Sequence, residues 1–454
     1  MCFGRGMARV FAFLRMIFIQ VLVLAVLFIL AETGARQFEA ASKNISVELK
    51  LQIKPYMMFG AQSGGGFSFY NLITRTNVPS KISFNNYGFA ENFDFNIAPD
   101  QQYLQKYGKK PGEKIVLITG GSVVYGVGAT GNDKTIAAQT QRYLNLRSGG
   151  ARYRVINMGM ASWIAYQQFI GLSLFGLPFD PDWVISMDGH NDGVVACAHG
   201  CGVANPLGWP QMLNILQGEP VGSTQKKRML LQTLAKESAL VRVITGMTGV
   251  EKSKVPSNGD LIIDAIDQDP RFRIKMAGLT VGIQDSQIDF YLQAQRNVIA
   301  LFHRANIILS TQPLMGGNAV SPAYRTAFSP KGTPADIADL EKELDSYMQA
   351  HRQDWCGSLI ANEVRDYFMA RSSIKLKDLV DAEQRLDTGR KLKYVNVEAA
   401  IPLEGRRRVS FFMDNAHLTD LGQERVGEFY AEIILSAERG EPFDYDAFIR
   451  NHGQ

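Results

Sequence analysis

The feature that most constrains this chain is a rhythm of short apolar runs separated by amphipathic segments. The apolar runs are rich in Val, Ile and Leu and lie at 114–119, 153–157, 182–187 and 306–310. Helical patterns follow at 135–146, 166–175 and 286–304. Strands with near-continuous apolar cores that alternate with helices predict a parallel sheet covered on both faces. The expected fold class is therefore α/β, with three layers.

Two long segments interrupt this rhythm, at 204–280 and 318–392, and both are predicted to be insertions over the sheet. They fall within one domain, predicted to span 111–440. Residues 32–110 are interpreted as a stalk and an N-terminal extension with short strands and turns, and residues 441–454 as a C-terminal tail. The fold is thus expected to be one elaborated domain instead of three separate ones.

The N-terminal region carries a long apolar stretch. Val10 to Ala31 is apolar except for Arg15 and Gln20. A membrane-spanning helix needs about 20 such residues, and an arginine near its end can extend its charged head to the lipid headgroups. A cleaved signal peptide is the main alternative and a buried soluble helix is the third.

The charges around this stretch predict its orientation. Arg5, Arg9 and Arg15 lie in the first 31 residues without any acid, and Glu32 follows. By the positive-inside rule, residues 1–9 form a cytoplasmic tail, residues 10–31 a single-pass anchor, and the body is exported. The expected location is therefore the bacterial inner membrane, with the main domain in the periplasm.

The same arginines explain most of the net charge. The chain holds 48 basic and 44 acidic side chains, a formal charge of +4. Without the N-terminal arginines the body is close to neutral. A nucleic-acid-binding protein needs a basic patch on its folded surface, so this class is not expected.

Cys197, His199 and Cys201 lie close together in the sequence. A local disulfide, free thiols and a metal site are all open, but a second cluster of metal ligands at a usual spacing is missing. We therefore expect no metal and no organic cofactor.

Polar residues follow the predicted strands, where parallel sheets bind their ligands. They form Gly120-Gly121-Ser122 after the first strand, a segment from Asn157 to Ser162 after the second, Gly189-His190-Asn191-Asp192 after the third, and Asp414-Asn415-Ala416-His417 near the C-terminus. Ester cleavage needs a nucleophile, a base, a group that orients the base, and donors for the oxyanion. Ser122, His417, Asp414 and Asn191 can fill these four roles in that order.

These blocks resemble those of the SGNH, or GDSL-type, hydrolases. The resemblance covers about 110–195 and 394–435, and Gly189-His190-Asn191-Asp192 and Asp414-Asn415-Ala416-His417 match the family's blocks without change. It implies a flavodoxin-like sheet, attack by Ser122, His417 as base with Asp414 behind it, and Asn191 in the oxyanion hole. The stretch Asn85 to Phe89 also resembles membrane-anchored bacterial members.

Two positions depart from the family pattern. Gly121 stands where the first block has an aspartate, and Ser162 stands where the second block supplies a glycine N–H to the oxyanion hole. We expect Ser162 to serve through its backbone, with Gly159 as the competing candidate. His190 fills the variable place of its block, and we expect Asp192 to be structural.

A glycine pattern from Gly126 to Gly131 matches the form of a dinucleotide-binding loop. It does not lie directly at a strand end, and the next strand ends in Asn157 instead of an acid, so nucleotide binding is not expected.

The expected function is cleavage of a carboxylic ester through an acyl-Ser122 intermediate. The resemblance implies a short acyl or acetyl ester, on a small molecule or on carbohydrate. The alternatives are an O-acyltransferase of an envelope polysaccharide and a catalytically silent SGNH-like binding module. The last is favoured by the Gly121 and Ser162 departures. Protein partners are not indicated.

Overall fold

A computed structural model describes residues 51–193 and 281–451, with short gaps, and part of 16–36. The predicted insertion 204–280 and the residues Cys197, His199 and Cys201 lie outside the described residues. The described residues between 16 and 36 are helical, whereas the predicted anchor 10–31 is only partly described. In this described portion of the chain, no helix combines the length and the apolarity that crossing a membrane requires.

The strands form two small antiparallel hairpins and one larger parallel sheet. In chain order they are β1 (Leu51–Lys54), β2 (Met58–Ala61), β3 (Gly64–Asn71), β4 (Thr76–Phe84), β5 (Glu113–Gly120), β6 (Arg152–Asn157), β7 (Trp183–Asp188), β8 (Asn306–Thr311) and β9 (Leu392–Asn396). The parallel sheet has the spatial order β6-β5-β7-β8-β9. Numbered from its own first strand this order is 2-1-3-4-5, that of flavodoxin-like sheets.

Helices connect these strands and cover the sheet. Those described after residue 50 are α1 (Gln101–Tyr107), α2 (Ser122–Tyr125), α3 (Ile136–Arg147), α4 (Ala165–Gly171), α5 (Val281–Leu301), α6 (Ala323–Ala327), α7 (Pro334–Ala350), α8 (Ala361–Leu386), α9 (Gly405–Ser410), α10 (Asp420–Arg439) and α11 (Tyr445–Asn451). Shorter helical turns lie at 132–134, 172–176, 177–179 and 397–400.

The two faces of the sheet carry separate apolar layers. Ile115 and Leu117 of β5 belong to a cluster with α4, α5 and α8. Val116 and Ile118, which point the other way, belong to a cluster with α3 and α10. Alternate residues of a strand face opposite sides, so this division confirms the predicted three-layer α/β fold with a parallel sheet.

The last strand and its crossover differ from the expectation. β9 pairs with β8 in parallel, although Lys391 directly before it and Lys393 within it hide the apolar pattern of a strand. The sequence interpretation placed α8 inside an insertion at 318–392. In the structure, Phe368, Leu376 and Val380 of α8 are buried in the same cluster as Leu309 of β8 and Leu392 of β9, so α8 serves as the crossover helix between those strands.

The predicted N-terminal extension contributes to the main core. Met57, Ile82 and Phe89 are fully buried in the cluster that contains α4 and α5. Asn85 closes a tight loop here, because its Oδ1 accepts hydrogen bonds from the backbone N–H groups of Tyr87 and Phe89, both at 3.0 Å. This loop places the Phe89 ring edge-on against Trp163, with ring centroids 5.6 Å apart.

Candidate active site

The candidate site lies at the carboxyl edge of the parallel sheet, between β5 and β7. The chain leaves β5 in one direction, to β6, and later returns on the other side as β7. Such a point opens a crevice at the strand ends, where ligands of open α/β sheets bind. Ser122 begins α2 directly after β5, and Asn191 lies in a helical turn directly after β7.

Ser122, His417 and Asp414 form one chain of hydrogen bonds. The distance from Ser122 Oγ to His417 Nε2 is 2.8 Å, and that from His417 Nδ1 to Asp414 Oδ2 is 2.7 Å. Both distances fit direct hydrogen bonds. Because Nδ1 donates to the carboxylate, Nε2 of the neutral ring is left as an acceptor for the serine proton. The structure thus brings Ser122 into contact with His417, which lies 295 positions later in the chain.

The segment that carries the histidine is held by its own backbone. Asp414 Oδ1 accepts hydrogen bonds from the N–H groups of Ala416, at 2.8 Å, and of His417, at 2.7 Å. Met413 N–H donates to the carbonyl of His417 at 2.9 Å, which closes the turn. Thr419 then caps α10. One carboxylate therefore orients the imidazole and also folds the turn that presents it.

Burial and the ion pair act in opposite directions on the pKa values of this turn. For Asp414, burial alone would raise the pKa, but His417 and the backbone donors lower it to about 2. For His417, burial alone would lower the pKa, but the charge of Asp414 and its hydrogen bond raise it above the usual value. The carboxylate is thus ionised at neutral pH, and it stabilises the imidazolium that forms when Ser122 gives up its proton.

The opposite side of the crevice carries hydrogen-bond donors. Asn191 Nδ2 donates to the carbonyl oxygen of Trp163 at 2.8 Å, and the other N–H of this amide has no acceptor among the described residues. One N–H of this amide fixes its orientation through a hydrogen bond, and the other N–H can donate to a developing oxyanion.

Ser162 adopts the left-handed conformation that the family's glycine would favour, with φ of +64°. A non-glycine residue in this region stores about 1–3 kcal/mol of strain, which the surrounding contacts have to offset. Its N–H donates to no acceptor within the described part of the chain. The N–H of Gly159 already donates to Asn157 Oδ1 at 2.9 Å. Of the two predicted candidates, Ser162 is therefore the one with an N–H to offer.

The geometry around Gly121 accounts for the missing aspartate. A Cβ atom at this position would lie 2.6 Å from Asn191 Nδ2. Atoms in such contact overlap, so the amide of Asn191 occupies the space that any side chain at 121 would need. The glycine at this position, where the family pattern has an aspartate, thus leaves room for the candidate oxyanion donor.

His190, which fills the variable place of its block, borders the same site. Burial, Arg365 and His417 lower its pKa well below the usual value, so the ring is neutral at physiological pH. The backbone of Arg365 lies 3.2 Å from the place of a Cβ on Gly193, which shows α8 packed against the turn after β7. Because the sequence interpretation assigns α8 to an insertion, the sequence alone gives no indication that α8 packs beside this turn.

The glycines of the dinucleotide-like pattern have other roles. Gly126 ends α2 with φ of +104°. Gly128, with φ of +95°, lies so close to the turn of His417 that a Cβ there would be 2.1 Å from the carbonyl oxygen of Leu418. The described residues also hold no group of three or more His, Cys, Asp or Glu that could bind a metal ion.

No family model matches the chain, and no curated protein matches it. Among solved structures, it is similar to a two-domain esterase active on acetylated mannans, at 11% identity over 73% of this chain and 52% of that chain, with a TM-score of 0.33. It is also similar to a GDSL-like lipase from Bacteroides thetaiotaomicron, at 10% identity over 76% of this chain and 100% of that chain, with a TM-score of 0.31.

A third similar structure is a family 3 carbohydrate esterase from Clostridium thermocellum, at 11% identity over 72% of this chain and 98% of that chain, with a TM-score of 0.28. The chain spans about half the length of the two-domain esterase. Overall scores this low carry no conclusion about activity. The sheet order and the distances within the site are what support the function below.

Proposed function

We propose that the protein is a serine esterase of the SGNH type, which cleaves a carboxylic ester through an acyl-Ser122 intermediate. The observation that carries this proposal is the hydrogen-bonded chain Ser122–His417–Asp414, at 2.8 and 2.7 Å, opposite an open amide N–H of Asn191. A nucleophile, a base, an orienting acid and an oxyanion donor then surround one crevice.

In this mechanism Ser122 Oγ attacks the ester carbonyl carbon and its proton passes to His417 Nε2. The carbonyl oxygen becomes an oxyanion, which accepts hydrogen bonds from Asn191 Nδ2 and from the N–H of Ser162. The tetrahedral intermediate collapses, and the leaving alkoxide takes the proton from Nε2 as the alcohol departs. Water then repeats these steps on the acyl-enzyme, which releases the carboxylic acid and restores Ser122.

The proposed substrates are short acyl esters, including acetyl groups on carbohydrate, the class that the SGNH resemblance implies. Transfer of the acyl group to a sugar hydroxyl uses the same intermediate, with the hydroxyl in place of water. Supplying an acyl donor together with a glycan acceptor separates the two reactions. Free carboxylic acid as the main product supports hydrolysis, whereas acylated glycan as the main product identifies a transferase.

The test of the esterase is hydrolysis of aryl esters of increasing acyl length by the full chain in detergent. We expect Ser122→Ala and His417→Ala each to lower kcat by about 10⁴-fold or more, because the triad acts as a unit. The matched controls are Ser148→Ala, at the end of α3, and His303→Ala, an exposed residue after α5.

Both control variants should keep the wild-type rate within about twofold. A fluorophosphonate should label the wild-type protein at Ser122, and not the Ser122→Ala variant. Absence of turnover with every ester, together with absence of labelling, contradicts the proposed enzyme and favours the silent binding module.

We further propose that residues 10–31 anchor the protein in the bacterial inner membrane, with the catalytic domain in the periplasm. The apolar stretch and the arginines that precede it support this topology. After alkaline carbonate extraction the full chain should stay in the membrane pellet, and external protease should digest the body in spheroplasts. Release of the full-length chain by carbonate, or a processed N-terminus after residue 31, contradicts an uncleaved anchor.

A further inference from the structure

Two carboxyl groups lie buried behind the oxyanion side of the site, and neither belongs to the hydrogen-bonded triad. Asp188 is the last residue of β7 and Asp192 lies one helical turn later; each is only 4% exposed. Carboxyl groups almost never occur this deep in a protein unless their surroundings compensate for lost hydration. Their contacts therefore indicate what the pair does.

Asp188 ties three elements together. The side-chain amide of Gln168 on α4 and the hydroxyl of Ser186 on β7 both donate hydrogen bonds to it. Gln295 Nε2 on α5 donates a third, at 3.0 Å. A carboxylate that receives three donors is stabilised in its ionised form.

Asp192 has a different neighbourhood. Its two oxygens accept from the backbone N–H of Ala165, at 3.2 and 3.3 Å. Ala165 begins α4 and lies three positions after Ser162. Asn191, the residue before Asp192, holds the carbonyl of Trp163 in the same segment. Two neighbouring side chains thus fasten the loop 158–165, here called the oxyanion loop, just beyond its candidate donor.

A row of polar side chains on α5 completes the enclosure. Gln287, Tyr291 and Gln295 are four residues apart, so they lie on one face of the helix, and each is at most 3% exposed. Tyr291 Oη, Gln295 Oε1 and both amide atoms of Gln287 have no hydrogen-bond partner among the described residues. Unpaired buried polar atoms are rare, and one of these, Gln295 Oε1, belongs to the amide whose Nε2 donates to Asp188.

We propose that Asp192 positions the oxyanion loop as a neutral carboxylic acid, beside an ionised Asp188. Both carboxyls contact α4, Asp188 at Gln168 and Asp192 at Ala165, so two ionised groups enclosed there would repel. A protonated carboxyl can still accept from Ala165 while its O–H donates to an acceptor. The inference rests on the proposed esterase, because it assigns Asp192 a positioning role within that site.

The electrostatics agree with this division. Burial raises the pKa of both carboxyls, and the charge of Asp188 raises that of Asp192 further. Burial and the two carboxyls raise the pKa of Tyr291 on α5, so its phenol stays neutral. Among the described residues, His190, which is neutral, and Arg365 of α8 lie beside the turn that carries Asp192.

The test compares Asp192→Asn with Asp192→Leu. Asparagine has the shape of a neutral aspartic acid and keeps an acceptor for Ala165, whereas leucine has a similar shape without an acceptor. We expect Asp192→Asn to keep kcat within about threefold and Asp192→Leu to lower kcat by about 10–100-fold with little change in KM. Asp133→Asn, at an exposed site, is the matched control.

Hydrogen exchange at the Ala165 amide gives a readout that does not need enzyme activity. Exchange should be slow in the wild type and in Asp192→Asn and faster in Asp192→Leu. If the wild type cleaves no ester, the esterase proposal fails while this measurement still tests the positioning role. Equal loss of activity and of protection in both variants, with both folded, would show that the charge of Asp192 is needed and would overturn the proposal. Unchanged protection in Asp192→Leu would also overturn it.

Discussion

The two sides of the crevice are built in different ways. On the base side, the side chain of Asp414 bonds to residues within three positions, namely Ala416 and His417. On the oxyanion side, Asn191 reaches back 28 positions to Trp163, and Gln295 reaches back 107 positions to Asp188. The base side is thus a local turn, whereas the oxyanion side depends on the whole three-layer packing.

This difference determines where each side is vulnerable. A local turn forms its geometry from its own sequence, so a single substitution there removes one chemical function and leaves the fold intact. The oxyanion side shares its contacts with β7, α4 and α5, so a substitution there can move a donor without touching it. Three substitutions test this contrast, beginning with the largest expected effect.

Asp414→Asn should lower kcat by about 10⁴-fold, the scale found when the orienting acid of a Ser-His-Asp triad is replaced by its amide. The amide can donate to Nδ1, which favours the wrong tautomer of His417. It also removes the charge that raises the pKa of His417. Since activity needs the neutral imidazole and is lost as pH falls through its pKa, the acid limb of the pH profile of kcat/KM should move to lower pH.

Asp339→Asn, on the exposed face of α7, is the control for this substitution and should leave both rate and profile unchanged. The turn after Met413 should stay folded in Asp414→Asn, because the amide oxygen can still accept from Ala416 and His417. A loss of less than about tenfold, or an acid limb that does not move, would contradict the role of Asp414.

Asn191→Ala should lower kcat by about 10²–10³-fold with little change in KM, as expected for loss of one oxyanion donor. The substitution also leaves the carbonyl of Trp163 without that amide, so a modest loss of stability should accompany it. Asn297→Ala, at an exposed hydrogen bond on α5, provides the control. An effect on KM alone would mean that Asn191 binds the substrate and not the transition state.

The same contrast explains what could be predicted from sequence. Ser122, Asn191 and the pair Asp414–His417 follow strand ends or lie in a short motif, so residue type and spacing suffice to propose them. The strands β5 to β8 have nearly continuous apolar cores, and their predicted ends lie within about one residue of the observed ends. The parallel three-layer fold follows from their alternation with helices.

The parts that were missed depend on contacts distant in sequence. β9 lies at the sheet edge, where charged residues are common, and Lys391 before it and Lys393 within it hide its apolar face. Charged residues are spread along the 26 positions of α8 and hide its buried face, so the sequence pattern there indicates a surface insertion. The choice between Ser162 and Gly159 needed the observation that Asn157 already uses the N–H of Gly159.

Gly121→Ala should have the smallest effect and gives the sharpest test of the oxyanion side. The added Cβ would overlap Asn191 Nδ2, at 2.6 Å, and the next nearest atom beyond that side chain is the Trp163 carbonyl oxygen at 3.9 Å. Because Nδ2 ends a flexible side chain, the amide can move while the backbone stays in place. We therefore expect kcat to fall about tenfold while the thermal midpoint stays close to that of the wild type.

A double-mutant cycle separates this displacement from a general disturbance of the nucleophile's turn. If Gly121→Ala acts only by moving the amide, it should lower kcat by less than about twofold in the Asn191→Ala background. Gly389→Ala is the control, since a Cβ there meets nothing closer than 3.5 Å. Multiplicative effects of the two substitutions would mean that residue 121 acts on Ser122 directly. Strong coupling would instead show that the position of Asn191 requires a glycine at residue 121, where the family has an aspartate. The glycine would then not indicate a lost active site.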